Sequence, residues 1–356
     1  MPNPILTRAI DTLASRIDLT ADQTAEVLRE IMGGEVSEIQ IAGFLIALRT
    51  KGETVSELAG LARTMRELAE HVPTDRDDLL DTAGTGGGTS SFNVSTTAAL
   101  IAAGAGCAVA KHGNRSATSR SGSADLLEAL GARIDLRPAA VASCISEAGF
   151  GFMFAPAHHQ ATRFVIPARH ELAVRTIFNL LGPLTNPAGA RRQLIGVSDV
   201  HFLETIAGAL ALLGVDRALV VAGEDGLDEI SAAAPTTVIE INGEELTRYT
   251  LMPRDVGVDE DAASPTGRQT GGGTPEQNAA VTRAILTPER PAGDSGDAVE
   301  LAVINAGAAI YVAGRADSIA DGVRAAREAI ADGRAADSLE RYIRASNTHA
   351  PDALVS

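Results

Sequence analysis

The sequence predicts an α/β fold: a small all-helical N-terminal domain over residues 1–72, then a large α/β domain over 73–356 with a mostly parallel central sheet flanked by helices. Three observations predict it. Residues 1–72 carry three successive helix-start signatures, each followed by an apolar stripe of helical period. From Pro73 onward, short apolar runs end in glycine-rich turns and alternate with Ala-rich stretches, the pattern of a parallel sheet covered on both faces. The 356-residue chain also has no Trp, 3% aromatic residues and 45% hydrophobic residues, so its core rests on Ala, Leu, Ile and Val.

In the N-terminal part, Thr20-x-x-Gln23, Ser37-x-x-Gln40 and Thr54-x-x-Glu57 are capping boxes. In each, the hydroxyl can accept from the backbone N–H three residues on while the longer side chain reaches back to the cap. Gly33-Gly34 and Gly52 stand where the intervening helices stop. The stripes are Val27, Leu28, Ile31; Ile41, Leu45, Leu48; and Leu58, Leu61, Met65, Leu68. Beyond Pro73, candidate strands are Leu79–Thr82, Ala108–Lys111, Gly151–Phe154, Gln193–Val197, Ala218–Ala222 and Val238–Ile241. Candidate helices between them are Thr96–Gly104, Ser123–Leu130, Phe202–Leu213 and Asn278–Leu286. Residues 265–274 and 287–297, rich in Pro, Gly and polar residues, read as surface loops.

The formal charge of −16 argues against non-specific nucleic-acid binding and means that any anionic ligand needs a local reversal of the field. Cations are almost all Arg, with only Lys51 and Lys111 as lysines; a coding bias accounts for this, yet leaves each retained Lys informative. Cys107 and Cys144 lie far apart without zinc-type spacing, which points to a reducing compartment. The N-terminus lacks a leader pattern and the chain lacks a run of about 18 apolar residues. The expectation is a cytoplasmic protein with no membrane contact.

Four segments carry chemistry. The first runs from Asp81 through Gly84-Thr-Gly-Gly87-Gly88 to Asn93-x-Ser95-Thr96: a strand, a glycine-rich turn and the start of a helix. Glycines expose backbone N–H groups, and the helix start adds more with a partial positive charge, so the segment suits phosphate or diphosphate. An ordinary capped turn would read the same way. No Gly-Lys-Ser/Thr follows, so this is not a Walker loop, and the helix begins too late for a dinucleotide fingerprint. The second, Lys111-His-Gly-Asn-Arg115-Ser-Ala-Thr-Ser119 with Ser123 beyond, crowds two cations, an imidazole, an amide and hydroxyls between a strand end and a helix, a second anion cradle at the carboxyl edge of the sheet. The third, Arg163 to Pro187, places Arg169 and Arg175 near apolar groups, where a planar fork can receive an aromatic carboxylate or serve a surface ion pair. The fourth, Gly223-Glu-Asp-Gly-Leu-Asp228-Glu229, follows an apolar strand; adjacent carboxylates there fit a hard cation such as Mg²⁺ held with substrate phosphates, or a solvated acidic turn.

Together these segments resemble the anthranilate phosphoribosyltransferase family over essentially the whole chain. The specific pieces are Gly84-Thr-Gly-Gly87, Asn93-Val-Ser-Thr96, Lys111-His-Gly-Asn-Arg115, Gly182-Pro-Leu-Thr-Asn-Pro187 and Asp228-Glu229, in the family's order. The resemblance implies an active site in a cleft between the two domains, the helical one completed by part of 163–192, and a homodimer formed through that domain. It implies transfer of the 5-phosphoribosyl group of phosphoribosyl pyrophosphate (PRPP) to the amine of anthranilate, in tryptophan biosynthesis, with Mg²⁺, two ions per site. Carried over by position, PRPP would meet Gly84, Gly87, Gly88, Ser91, Asn93, Val94, Ser95 and Thr96. It would also meet Lys111, His112, Gly113, Asn114, Arg115, Ser116, Ala117, Thr118, Ser119 and Ser123. Anthranilate would meet Gly84, Asn114 and Arg169, and the metal Ser95, Asp228 and Glu229.

Two departures stand out: Gly88-Thr89 replaces the family's usual Asp-Gly in a loop one residue shorter, and His158-His159-Gln160 replaces Phe-His-Pro. No residue is assigned as a general acid or base, because an oxocarbenium-like displacement of diphosphate by a weakly basic aromatic amine needs none. Rival expectations are a pyrimidine nucleoside phosphorylase, which would use phosphate in place of PRPP, and a non-catalytic homologue that binds nucleic acid, which would call for a basic surface.

Overall fold

The computed structural model describes residues 1–89, 91–116, 119–258, 271–288 and 296–350. Four helices come first: α1 (Pro4–Ala14), α2 (Ala21–Met32), α3 (Glu38–Lys51) and α4 (Val55–Glu67). The boxes at Thr20/Gln23 and Thr54/Glu57 are complete. The box at Ser37 is half formed. The Ser37 hydroxyl accepts the Gln40 N–H, but the Gln40 amide bonds the backbone of Asn3 instead, at 2.9 and 3.1 Å. A tertiary partner that ties the chain's start to α3 has displaced the local one.

Seven strands then form one sheet: β1 (Leu79–Gly84), β2 (Ala108–Gly113), β3 (Phe150–Phe154), β4 (Arg192–Gly196), β5 (Arg217–Gly223), β6 (Thr236–Asn242) and β7 (Glu245–Leu251), in the order β3-β2-β1-β4-β5-β6-β7. The first five in that order are parallel, and β6 and β7 add an antiparallel hairpin. Only the first six strands are among those expected. β7 is an exposed edge strand with polar side chains on both faces, so it carries no apolar run. Connecting and covering helices are α5 (Val94–Gly104), α6 (Ser123–Ala129), α7 (Pro138–Ala148), α8 (Ala155–His158), α9 (Ile166–Leu172), α10 (Phe178–Leu181), α11 (Leu203–Leu212), α12 (Pro275–Leu286), α13 (Gly296–Val312), α14 (Ile319–Ala331) and α15 (Arg334–His349). The surface-loop expectations at 265–270 and 289–295 lie outside the described residues.

Alternation along the strands divides the core in two. On β5, Leu219 and Val221 face a core with α5 and α13, while Ala218, Val220 and Ala222 face a second one with α11. That second core runs on into the bundle through Leu28, Phe44, Leu48 and Leu61, and Val165, Ile177 and Leu181 from the 163–192 segment join it. The helical layer is therefore fused to one face of the sheet. On the other face, a Cβ on Gly322 would overlap the Gly307 carbonyl, so α13 and α14 cross in near backbone contact.

Candidate active site

The sheet reverses its winding direction between β1 and β4: the chain leaves β1 toward β2 and β3, then returns to β4 and proceeds to β5 on the other side. A crevice opens at the carboxyl ends of such strands. Here Gly84 and Gly196 end the two strands in register. The turn carrying the acid pair lies directly over them. A Cβ on Gly196 would overlap the backbone carbonyl of Asp228, and one on Gly84 would stand 2.6 Å from Asp228 Oδ2.

Asp228 Oδ2 accepts the Gly86 N–H at 2.9 Å, and the Glu229 carboxylate accepts the Ser95 N–H at the start of α5. Both residues keep part of their surface open at the cleft. Burial nevertheless pushes the Asp228 carboxyl up. Burial, then repulsion from Asp228, raises Glu229 well above the usual range, with Lys111 acting the other way. Two adjacent acids short of solvation form a site that a cation would relieve.

The glycine loop is stitched on both sides. Thr85 N–H donates to Gly196 O at 2.9 Å, Thr89 N–H to Gly226 O at 2.9 Å, and Ser198 Oγ to Gly86 O at 2.9 Å. Gly86 and Gly87 sit at φ +65 and +79, the left-handed region that glycine enters without strain. The N–H groups of Gly87 and Gly88 donate to no acceptor among the described residues. Ser91 Oγ turns to Phe92 O, and Ser90 lies outside the described residues. At α5, Asn93 stands in the cap position without capping. Its amide instead donates to Ser121 O and accepts from Ser121 Oγ and Asn278 Nδ2, at 3.1, 3.0 and 2.8 Å. The first turn of α5 is therefore reached by Glu229 at Ser95 and not by a local side-chain cap. Val94 and Thr96 are buried just inside it, and the Thr96 hydroxyl has no partner among the described residues.

The second segment differs from the expected cradle of two loop cations. Lys111 and His112 belong to β2, and Lys111 is 1% exposed. Its ammonium donates to Thr82 O at 2.6 Å and approaches Ser95 Oγ at 3.4 Å, beneath the start of α5. Burial holds it below the usual lysine range, with Asp81 and Glu229 opposing the shift. Arg115 turns to Asp125 and Glu128, the former at 2.7 Å, because α6 presents both acids to it. Its charge is already matched. Asn114 Oδ1 accepts the Arg115 N–H, Ser116 and Ser119 bond each other, and Ser123 opens α6 against Gly113. Ala117 and Thr118 lie outside the described residues.

In the third segment, Arg169 on α9 rests its guanidinium 5.4 Å from the Phe178 ring, with no carboxylate partner among the described residues. Burial lowers its pKa. No bond joins it to the described parts of either anion loop. Nearby, His112 Nδ1 meets Gly182 O at 3.2 Å, and its ring stands edge-on to His159 at 5.1 Å. Burial, then His159, pushes the His112 pKa well down, and its Nε2 has no partner among the described residues. Sequence reasoning missed several supporting residues. Asp81 accepts the His112 N–H at 3.1 Å and the Asn186 amide at 2.7 Å, and so braces β1 against β2 and the 182–187 turn. Ser198, two residues beyond β4, anchors the glycine loop. Apolar strand composition hides both kinds of contact. A cleft of about 940 Å³ adjoins the loop on the side of the helical layer, lined among others by Arg49, Gly87, Arg175, Thr176 and Ser198. Among the described residues, no cluster of three or more His, Cys, Asp or Glu could hold a metal, and no helix is long and apolar enough to cross a membrane.

Comparison with known proteins gives the family. A glycosyl transferase family model for a helical bundle domain matches residues 7–69, and one for an a/b domain matches residues 76–336. The anthranilate phosphoribosyltransferase of Halorhodospira halophila is 48% identical over 341 residues, 95% of this chain and 97% of that one. A solved anthranilate phosphoribosyltransferase from Thermus thermophilus superposes with a TM-score of 0.88 at 45% identity, covering 95% of this chain and 99% of that one. The enzyme from Saccharomyces cerevisiae, solved in complex with PRPP and Mg, gives 0.87 at 26% identity, with 96% and 98% covered. With both family models matched in order and near-half identity over nearly its full length, the chain belongs to the anthranilate phosphoribosyltransferase family of glycosyl transferases.

Proposed function

We propose that the protein transfers the 5-phosphoribosyl group of PRPP to the amine of anthranilate, releasing pyrophosphate, the second step of tryptophan biosynthesis from chorismate. The observation that carries this reading is the convergence at one sheet edge of free loop N–H groups, the start of a helix, a buried lysine and an acid pair short of solvation. The C1–O electron pair leaves with the diphosphate, the nitrogen lone pair forms the C1–N bond, and the nitrogen gives up a proton to solvent. Bond breaking runs ahead, so the task of the chain is to receive negative charge rather than to remove a proton. Gly87 and Gly88 N–H groups, the first turn of α5 and Lys111 supply that charge reception. Lys111 is fixed by Thr82, so its contribution is in place before substrate arrives.

Asp228, Glu229 and Ser95 would hold Mg²⁺, two ions per site in this reading. The donor set suits it, since Mg²⁺ binds through one or two carboxylates together with substrate phosphates. When bound, the ion neutralises charge on the diphosphate. Arg169, without a carboxylate partner among the described residues and beside an aromatic ring, would take the anthranilate carboxylate, with Asn114 and Gly84 at the same ligand. A homodimer through the helical domain, completed by part of 163–192, is supported by exposed Ile39 on α3 and Ile166 on α9, at 84% and 52% exposure.

The test is a fluorescence assay of the purified protein with anthranilate, PRPP and Mg²⁺, omitting each in turn. Loss of anthranilate fluorescence only when all three are present is expected. Loss with no need for PRPP, or none at all, would refute the reading.

A further inference from the structure

Beside the glycine loop stands a cation to which the proposed function gives no part. Arg175 follows α9, and its side chain reaches over the loop: its Nη1 occupies the space that a Cβ on Gly87 would require. Its one bond to the loop is long, from Nη2 to Thr85 O at 3.4 Å. It forms no ion pair among the described residues, although its charge is felt at Asp228, where it opposes the upward push of burial, and at Asp199, where it adds to the lowering by His201. The backbone beneath it is fixed. Arg49 Nη1 donates to the Arg175 carbonyl at 2.8 Å, and Thr176 N–H donates to Asn179 Oδ1 at 2.9 Å. A rigid base thus carries an exposed guanidinium that no described acid neutralises, in a chain of net charge −16. It lies against Gly87, and the N–H groups of Gly87 and Gly88 also lack an acceptor among the described residues. Unmatched donors of both kinds on one loop call for an oxygen-rich anion.

We infer that Arg175 is a ligand of the diphosphate, closing the glycine-loop cradle from the side of the helical layer. The assignment rests on the phosphoribosyl-transfer reading. The planar fork takes oxygens that the Gly87 and Gly88 N–H groups leave open, on the flank opposite α5. Lys111 cannot do this, being buried beneath α5. Charge on the diphosphate grows as the C1–O bond breaks, so the guanidinium acts on departure as well as on binding.

Pyrophosphate with Mg²⁺ is titrated calorimetrically into the full-length parent, Arg175→Ala and Arg175→Lys proteins, and the anthranilate KM of each is measured. Arg175→Ala should weaken pyrophosphate about 10- to 100-fold, in line with loss of a charge-assisted contact, while the anthranilate KM stays within about twofold. Arg175→Lys should fall between the two, since it keeps the charge and loses the fork. Parent affinity retained in Arg175→Ala overturns the assignment alone. A parent that fails to bind pyrophosphate overturns the functional reading and the assignment with it.

Discussion

Arg169 and Arg175 stand six residues apart and show how little a residue type says without its surroundings. The first is half-buried against Phe178 with its guanidinium unpaired among the described residues, and the second is exposed over a glycine. Replacing Arg169 with Ala removes a charged partner from the proposed anthranilate carboxylate, a loss of about 1.5–3 kcal/mol. Steady-state kinetics should show the anthranilate KM raised about 10- to 100-fold with the PRPP KM little changed; an equal rise in both would mark Arg169 as structural. The sequence makes both arginines visible but cannot assign them, because the choice depends on which acids the fold brings near. Arg115 illustrates the other outcome. Close to Lys111 in a promising run, it is matched by Asp125 and Glu128 once α6 forms. Lys111 reads as unusual from its rarity alone. Its place beneath α5 is a property of the sheet.

At the scale of elements, α8 and the turn at 182–185 are joined through imidazoles held neutral. His159 Nε2 donates to Thr185 O at 3.1 Å, and burial lowers its pKa to about 4. A depressed histidine pKa contributes stability that is present above pH 6.5 and lost as pH falls toward 4, because the unfolded chain takes up the proton first. The raised carboxyls of Asp81, Asp228 and Glu229 act with the opposite sign, so the informative quantity is a difference between two proteins. The unfolding free energy of the parent, from urea titrations, should fall faster than that of His159→Asn between those pH values, by at most about 1.4 kcal/mol per pH unit. Parallel curves would show that His159 does not carry the effect. Elements with local signals are legible in the sequence: two complete capping boxes, the glycine stops and six apolar strands. Those whose form depends on neighbours are not. β7 is paired by β6 rather than by any apolar pattern, and α13 is buried around nearly its whole circumference, so no polar face marks its period. The stripe of α14 at Ile319, Val323, Ala326 and Ile330 is there to be read, and the candidate helices simply omit it.

For the whole molecule, the fused second core leaves Ile39 and Ile166 exposed on the helical layer. Light scattering should give twice the chain mass for the parent, and Ile39→Glu, which sets a charge on the proposed contact, should shift the protein toward the mass of one chain. A parent already at that mass would dispose of the dimer. The change from helices to a covered sheet is legible from the change of style at Pro73, but the continuity of one core across it is not, since contacts between distant segments leave no local trace. The glycines that end β1 and β4 have a larger meaning in this light. They form a doorway, free of side chains, through which the acid-bearing turn drops onto the seam between the two halves of the sheet. The acid pair is thereby hinged to both halves at once, so a slip of either strand by one residue would bolt the door with a side chain and evict the carboxylates together.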